Sequence, residues 1–253
     1  MNRFTLYTMC VQDPPVLAAF LRAVHGGSPT TLREDFSGPA AICSAWLLTS
    51  PSARAIAVDS DAEPLRHALK DPRLKLIRED VISATNRADI IAGLNFPLGY
   101  WHTRPELVKY LALTRKRLNP GGVCVFDLYG GADAFTPGTT TKLIRPAPGI
   151  RVRYHWEQID ADAVSGIVHN AIHFDVLEKG KKPRRIRNAF EYHWRLWSIP
   201  ELFDALDDAG FSRAEVYHRL GDAVDSDGRM YVQPIDIDDR LDPSWVVYVA
   251  GRK

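Results

Sequence analysis

Apolar positions along the chain follow two different periods, and the switches between them mark out the elements. Val16, Leu17, Phe20, Leu21 and Val24 recur at helical spacing. Asp13 as N-cap and Pro14-Pro15 in the first turn open that helix, and Gly26-Gly27 close it. Thr30 to Phe36 then reads as a strand feeding a tight turn at Ser37-Gly38-Pro39. A helix is expected over Ala40 to Leu48, a strand over Arg54 to Val58, a helix over Glu63 to Leu69 and a strand over Leu74 to Ile77. Ala88 to Leu94 is an almost wholly apolar run, the pattern of a strand buried on both faces. Pro105 opens a helix to about Leu118. Asn119-Pro120-Gly121-Gly122 reads as a turn, and Val123 to Leu128 as another buried strand. Strands alternating with helices predict an α/β fold: a Rossmann-like, doubly wound, mostly parallel sheet.

After Gly131 the period shortens. Arg151 to Trp156, Ile167 to Phe174 and Ile186 to Tyr192 alternate in polarity, with turn signals at 160–166 and 179–183. They predict a late, three-stranded antiparallel β insertion. Ser198 caps a last helix with Pro200 in its first turn. Arg213 to Tyr217 and Trp245 to Ala250 supply two more strands, and the Asp-rich stretch 219–244 between them reads as a loop. The expected organisation is a core at 1–138 with an N-terminal lid helix, the β insertion at 139–195 as a substrate or dimerisation module, and a C-terminal completion of the core sheet at 196–253.

Composition narrows the class. Of 253 residues, 45% are hydrophobic and 25% charged, which suits a packed globular chain. A net charge of +1 gives no overall drive toward nucleic acid or acidic lipid. Cys10, Cys43 and Cys124 have neither disulfide-framework nor metal-ligand spacing. The apolar start is interrupted at Gln12-Asp13-Pro14-Pro15, so no signal peptide is expected, and no stretch reaches the ~20 apolar residues of a membrane span. A cytoplasmic location without membrane contact is expected.

The chemistry lies in where acids sit relative to strand ends. Ligands of open α/β sheets bind beyond the carboxyl ends of the strands. The first strand ends in Arg33-Glu34-Asp35-Phe36-Ser37-Gly38, the second at Asp59-Ser60 and the third at Asp80-Val81. Small residues after the first strand allow close approach to a ligand. Asp59 can accept both hydroxyls of a ribose. Asp80 can accept an adenine amine proton while the Val81 amide bonds a ring nitrogen. Together they describe an adenosine site. The first turn lacks a full G-x-G-x-x-G, which argues against a dinucleotide and so against a nicotinamide-dependent oxidoreductase.

These residues, with Leu94-Asn95-Phe96, Leu118 to Gly122 and Phe126 to Gly131, resemble the class I S-adenosylmethionine (SAM)-dependent methyltransferases. The resemblance is to a bacterial small-molecule branch whose first motif reads Leu-Arg-Glu-Asp-Phe-Ser/Cys-Gly. It implies SAM as cofactor and S-adenosylhomocysteine as product. It places Glu34, Phe36 and Gly38 along the methionine and ribose, Asp59 and Ser60 on the ribose, Asp80 and Val81 on adenine, and Asn95 and Phe96 beside the transferring methyl. The usual triple-glycine turn is reduced here to Phe36-Ser37-Gly38-Pro39-Ala40. That departure makes Arg33 a candidate for the methionine carboxylate. Separately, the N-terminal Tyr7, Cys10 and Gln12 are candidates for a lid over the cofactor.

Methyl transfer from a sulfonium needs alignment more than acid–base chemistry. For a base, the candidates are Tyr100, His102, Tyr154 and His155. A small-molecule N- or O-acceptor is expected, with RNA or DNA as an alternative substrate and a non-catalytic SAM-binding protein as another. Six basic residues fall within Lys179 to Arg187. They read as a solvated hairpin tip guarding a sheet edge, or else as a phosphate-contacting finger. A homodimer through the insertion is also expected as an option. No metal is expected, although His169 and His173 share a strand face with His155 and His193 near them.

Overall fold

The structure, a computed structural model, describes residues 1–218, 232–235 and 239–253. Most of the predicted Asp-rich loop at 219–244 therefore lies outside the described residues. The elements run α1 (Arg3–Val11), α2 (Pro14–His25), β1 (Thr31–Asp35), α3 (Ala41–Leu48), β2 (Arg54–Asp59), α4 (Ala62–Leu65), β3 (Leu74–Arg78), β4 (Ala88–Gly93), α5 (Arg104–Arg117) and β5 (Leu118–Gly130). They continue as β6 (Gly138–Ala147), β7 (Ile150–Asp162), β8 (Ile167–Glu178), β9 (Arg184–Arg195), α6 (Ile199–Asp208), β10 (Arg213–His218) and β11 (Trp245–Arg252).

The main sheet has the order β10-β11-β5-β4-β1-β2-β3, with β11 antiparallel to both of its neighbours and the other pairs parallel. Apolar clusters fill both faces. Helices α2 and α3 bring Leu17, Phe20, Leu21, Ile42 and Trp46 to one, and α5 and α6 bring Leu107, Leu111, Leu202 and Leu206 to the other. This is the expected Rossmann-like α/β architecture, and its strand order reverses between β1 and β4. Helix ends follow their local chemistry. Asp13 accepts from the Val16 amide and Gly26 closes α2 in the left-handed region. Thr103 and Ser198 form capping boxes with Glu106 and Glu201, each such cap contributing ~1 kcal/mol.

Three details differ from the sequence reading. The insertion has four strands, in the order β6-β7-β8-β9, because the Thr-rich Gly138–Ala147 adds an exposed edge strand with no apolar alternation. Asn119 to Gly122 is not a turn between elements. It is an irregularity inside β5, where pairing with β4 jumps from Ala88↔Leu118 to Ile90↔Val123. Helix α4 is a single turn and not the longer helix over Glu63 to Leu69.

The second sheet docks through its aromatic face. Helix α1, N-capped by Asn2, lays Leu6 and Cys10 against Val152, Ile172 and Phe174 of that face. Gly99 sits where a Cβ would lie 2.6 Å from the Trp194 side chain, so only glycine lets β9 approach the turn at 97–100 so closely. No helix among the described residues is long and apolar enough to cross a membrane.

Candidate functional site

Backbone strain marks the site. A non-glycine residue in the left-handed region costs about 1–3 kcal/mol and persists where surrounding structure imposes it. Phe36 (φ 57°) and Ala40 (φ 56°) lie just beyond β1, while Asn95 (φ 70°) and Phe96 (φ 65°) lie just beyond β4. These two strands flank the switch in strand order, where the carboxyl ends of an open α/β sheet leave a crevice.

A cavity of about 420 Å³ opens there. Its floor is the turn Phe36 to Pro39 after β1, Asp59 to Asp61 after β2, and Leu94, Asn95 and Pro97 after β4. Phe4, Tyr7 and Gln12 of α1 and its C-cap close one side, and Tyr100, Phe190 and Tyr192 form an aromatic wall. Of the residues anticipated from sequence, Tyr7, Gln12, Phe36, Gly38, Asp59, Ser60, Asn95 and Tyr100 line this cavity. Phe4, Pro64 and Phe190 line it without having been anticipated, and Phe190 and Tyr192 arrive from β9, far along the chain.

Asp59 is the electrostatic centre. Its carboxylate accepts the Gly38 amide at 2.8 Å and the Asp61 amide at 2.9 Å, bracing the floor from both sides. Burial raises its pKa, opposed by those two backbone donors. Gly38 has φ 53°, and a Cβ there would meet nothing within 4 Å. The floor is therefore open at this point. Two acceptors are left over: the buried Gln12 Oε1 and Ser37 Oγ have no hydrogen-bond partner among the described residues. Buried polar groups are rarely left unpaired, and these two belong to residues that line the cavity. Burial pushes the Tyr7 phenol well above its ordinary range, Tyr192 beside it adding to the effect, and burial raises Tyr100. The cavity phenols therefore stay protonated at neutral pH.

Other anticipated residues lie outside the cavity. Arg33 is fully buried. It donates to Asp35 Oδ1 at 2.6 Å and to the carbonyls of Ala84, Asn86 and Val81, so it has no fork to offer a ligand carboxylate. Glu34 accepts the Cys43 amide at 3.1 Å and caps α3 from within the core. Asp80 is exposed and spends Oδ1 on the Ile82 amide, while the Val81 carbonyl is taken by Arg33 and Arg117. Phe96 turns its ring inward against Tyr129 and Trp194. His102 reaches the His193 carbonyl. Tyr154 packs on Phe174 beneath α1. His155 is on the far face of the second sheet, paired with Asp175. Cys10 is buried in the packing between α1 and that sheet.

One positioning residue was missed. The two oxygens of buried Asp127, on β5, accept the amides of Asn95 (2.8 Å) and Phe96 (2.7 Å) and hold that strained pair in place. The signal was an acid inside an otherwise apolar buried strand. Burial pushes the Asp127 carboxyl up to about 7 and that of Glu34 up to about 7. Both therefore hold protons in the folded state at pH values where the unfolded chain has released them. Stability supplied by these two groups is complete below the ordinary carboxylate range and is lost as pH rises to about 7. Asp127→Asn removes one of them. Melting temperatures measured across pH 4 to 8, roughly the linkage window, should fall less steeply with pH in the variant. Parallel curves would contradict this assignment.

No protein-family model matches the chain, and no curated protein matches it. Solved structures do. DesVI from Streptomyces venezuelae superposes with TM-score 0.70 at 18% identity, covering 98% of this chain and 94% of that one. CalS10, a SAM-bound amino pentose methyltransferase from Micromonospora echinaspora, has TM-score 0.68 at 17% identity, covering 98% and 95%. KedS8, a sugar N-methyltransferase from Streptoalloteichus sp., has TM-score 0.68 at 16% identity, covering 98% and 92%. The likeness spans both sheets, and at these identities it is a likeness of fold.

Proposed function

We propose that this chain is a SAM-dependent methyltransferase acting on a small molecule. The observation that carries the reading is the cavity at the strand-order switch, where Asp59 braces the floor and the buried acceptors of Gln12 and Ser37 have no partner among the described residues. A nucleoside bearing an amino-acid tail suits that set. A carboxylate accepts ribose hydroxyls, an open glycine admits the sugar, and spare buried acceptors take ammonium protons. Asp59, Ser37, Gly38 and Gln12 are the residues that would hold SAM, with Asn95 at the edge facing the aromatic wall. When bound, SAM supplies an already activated sulfonium methyl group. The protein's share is to position the acceptor and exclude water. The first motif, with its Arg-Glu-Asp-Phe-Ser-Gly reading, fits the bacterial small-molecule branch named above. In that reading Glu34 and Asp35 support the floor from beneath and do not touch the ligand.

The acceptor follows from what the cavity lacks. Among the described residues that line it, the titratable groups are Tyr7, Asp59, Asp61, Tyr100 and Tyr192, with no histidine. The phenols are held protonated and so donate hydrogen bonds, while Asp59 and Asp61 already accept backbone amides of the floor. A hydroxyl acceptor needs a base; an amine enters as its neutral form and releases its proton to solvent afterwards. A nitrogen acceptor is therefore the better fit. That chemistry agrees with the amino pentose and sugar N-methyltransferases of the same fold. The basic hairpin adds no need for nucleic acid: Lys181 pairs with Glu178, Arg185 with Asp175, and Arg184 with the Met1 carbonyl.

Gly38→Val tests the reading. The left-handed backbone makes the change cost roughly 1–2 kcal/mol, and the new side chain extends into space the cofactor needs. The variant should fold with a lowered melting temperature and lose SAM binding at least tenfold by fluorescence titration. Unchanged affinity would remove the cofactor from this floor.

A further inference from the structure

The second sheet has an outer face turned away from the cavity. Along β9, Phe190 and Tyr192 point to the cavity wall, so the alternate residues Glu191 and His193 point outward. The outer face also carries His155, His169 and His173, and these differ in what holds them. His155 has Nε2 on Asp175 and Nδ1 against Thr141. His173 has Nε2 on Glu157 and accepts the Asn188 amide at Nδ1. Both rings are committed at both nitrogens.

His169 and His193 are not. They are directly opposite residues of β8 and β9, and their rings stack with centroids 4.0 Å apart and planes 19° from parallel. His169 Nε2 lies 2.7 Å from Glu191 Oε1, leaving Nδ1 over. Among the described residues no hydrogen bond holds the His193 ring. One donor atom from each of His169, Glu191 and His193 lies within 4.8 Å of the others. Asp160 stands opposite His169 on β7, adding negative charge to the same face.

We infer that His169, Glu191 and His193 form a binding site for a late first-row divalent cation. Two imidazoles and one carboxylate are a mixed nitrogen and oxygen donor set, which suits zinc, nickel or copper. Calcium and magnesium require oxygen donors. The three side chains are partly or fully exposed, with the rotamer freedom to adjust to a tetrahedral ion. The cation takes the place of the present hydrogen bond between His169 and Glu191. It clamps β8 to β9 and leaves at least one coordination position open. The site is independent of the cofactor reading, since none of its residues lines the cavity.

Titration of metal-free, untagged full-length protein with Zn²⁺ tests this by calorimetry. One equivalent should bind with a dissociation constant on the order of micromolar. His193→Ala and His169→Gln should each weaken it by about tenfold or more, while His155→Ala leaves it unchanged. Substituting Co²⁺ should give visible d–d absorption that His193→Ala abolishes. The cysteines are all buried, so thiolate does not compete. Circular dichroism verifies that each variant folds, and either ligand variant alone suffices for the comparison. No zinc binding, or the same affinity in wild type and both ligand variants, would overturn the site.

Discussion

Arg33→Met should destabilise the protein by roughly 3–5 kcal/mol, the cost of breaking a buried pair by removing one partner. Arg33 and Asp35 are both almost wholly shielded, at 0% and 1% side-chain exposure, with 2.6 Å between Nε and Oδ1. Burial tends to raise the Asp35 pKa, and the Arg33 charge opposes it first among the partners. Tyr110 donates to the other Asp35 oxygen at 3.0 Å. Methionine keeps the volume but leaves a buried carboxylate facing apolar packing. It also releases the carbonyls of Ala84 and Asn86, which tie the segment after β3 to β1. Urea denaturation should show the loss in midpoint with little change of slope. If Arg33 instead held the methionine carboxylate, the variant would keep its stability and lose cofactor affinity, and the two readings separate in one experiment.

Asp59→Ala should have the opposite profile. The carboxylate is only half-buried, so its removal costs little stability. Yet it holds the Gly38 and Asp61 amides, and in the proposed function it also accepts the ribose hydroxyls. Hydrogen bonds to a charged group contribute about 1.5–3 kcal/mol each, so cofactor affinity should fall roughly 100-fold, near 3 kcal/mol. Asp59→Asn keeps one acceptor oxygen and should fall between the two. A change of less than about threefold in the alanine variant would mean that the ligand of this cavity does not engage Asp59.

The parallel core was legible because its signals are local. Asp13 and Gly26 bracket α2, Ser198 with Glu201 opens α6, and the apolar runs at 88–94 and 123–128 admit no solvent-facing side. β6 was not legible, because an exposed, Thr-rich edge strand has no buried face to impose alternation. The floor of the site, Gly38 and Asp59, could be found because strand ends fix where such residues go. The part of its wall made by Phe190 and Tyr192 could not, since these reach the cavity only through the docking of the second sheet. Asp80 and Val81 sit at the expected strand end but outside the lining of the cavity, with Asp80 Oδ1 holding the Ile82 amide. Arg33 carried a usable clue that points to its structural role: an arginine two residues from an aspartate on a buried strand shares that strand's face with it.

The most direct test of the account is calorimetric titration of the wild-type protein with S-adenosylhomocysteine and, separately, with NADH. The account predicts one equivalent of S-adenosylhomocysteine bound at micromolar strength and no heat from NADH. Tight NADH binding, or no response to S-adenosylhomocysteine, would contradict the assignment of the cavity and with it the methyltransferase reading.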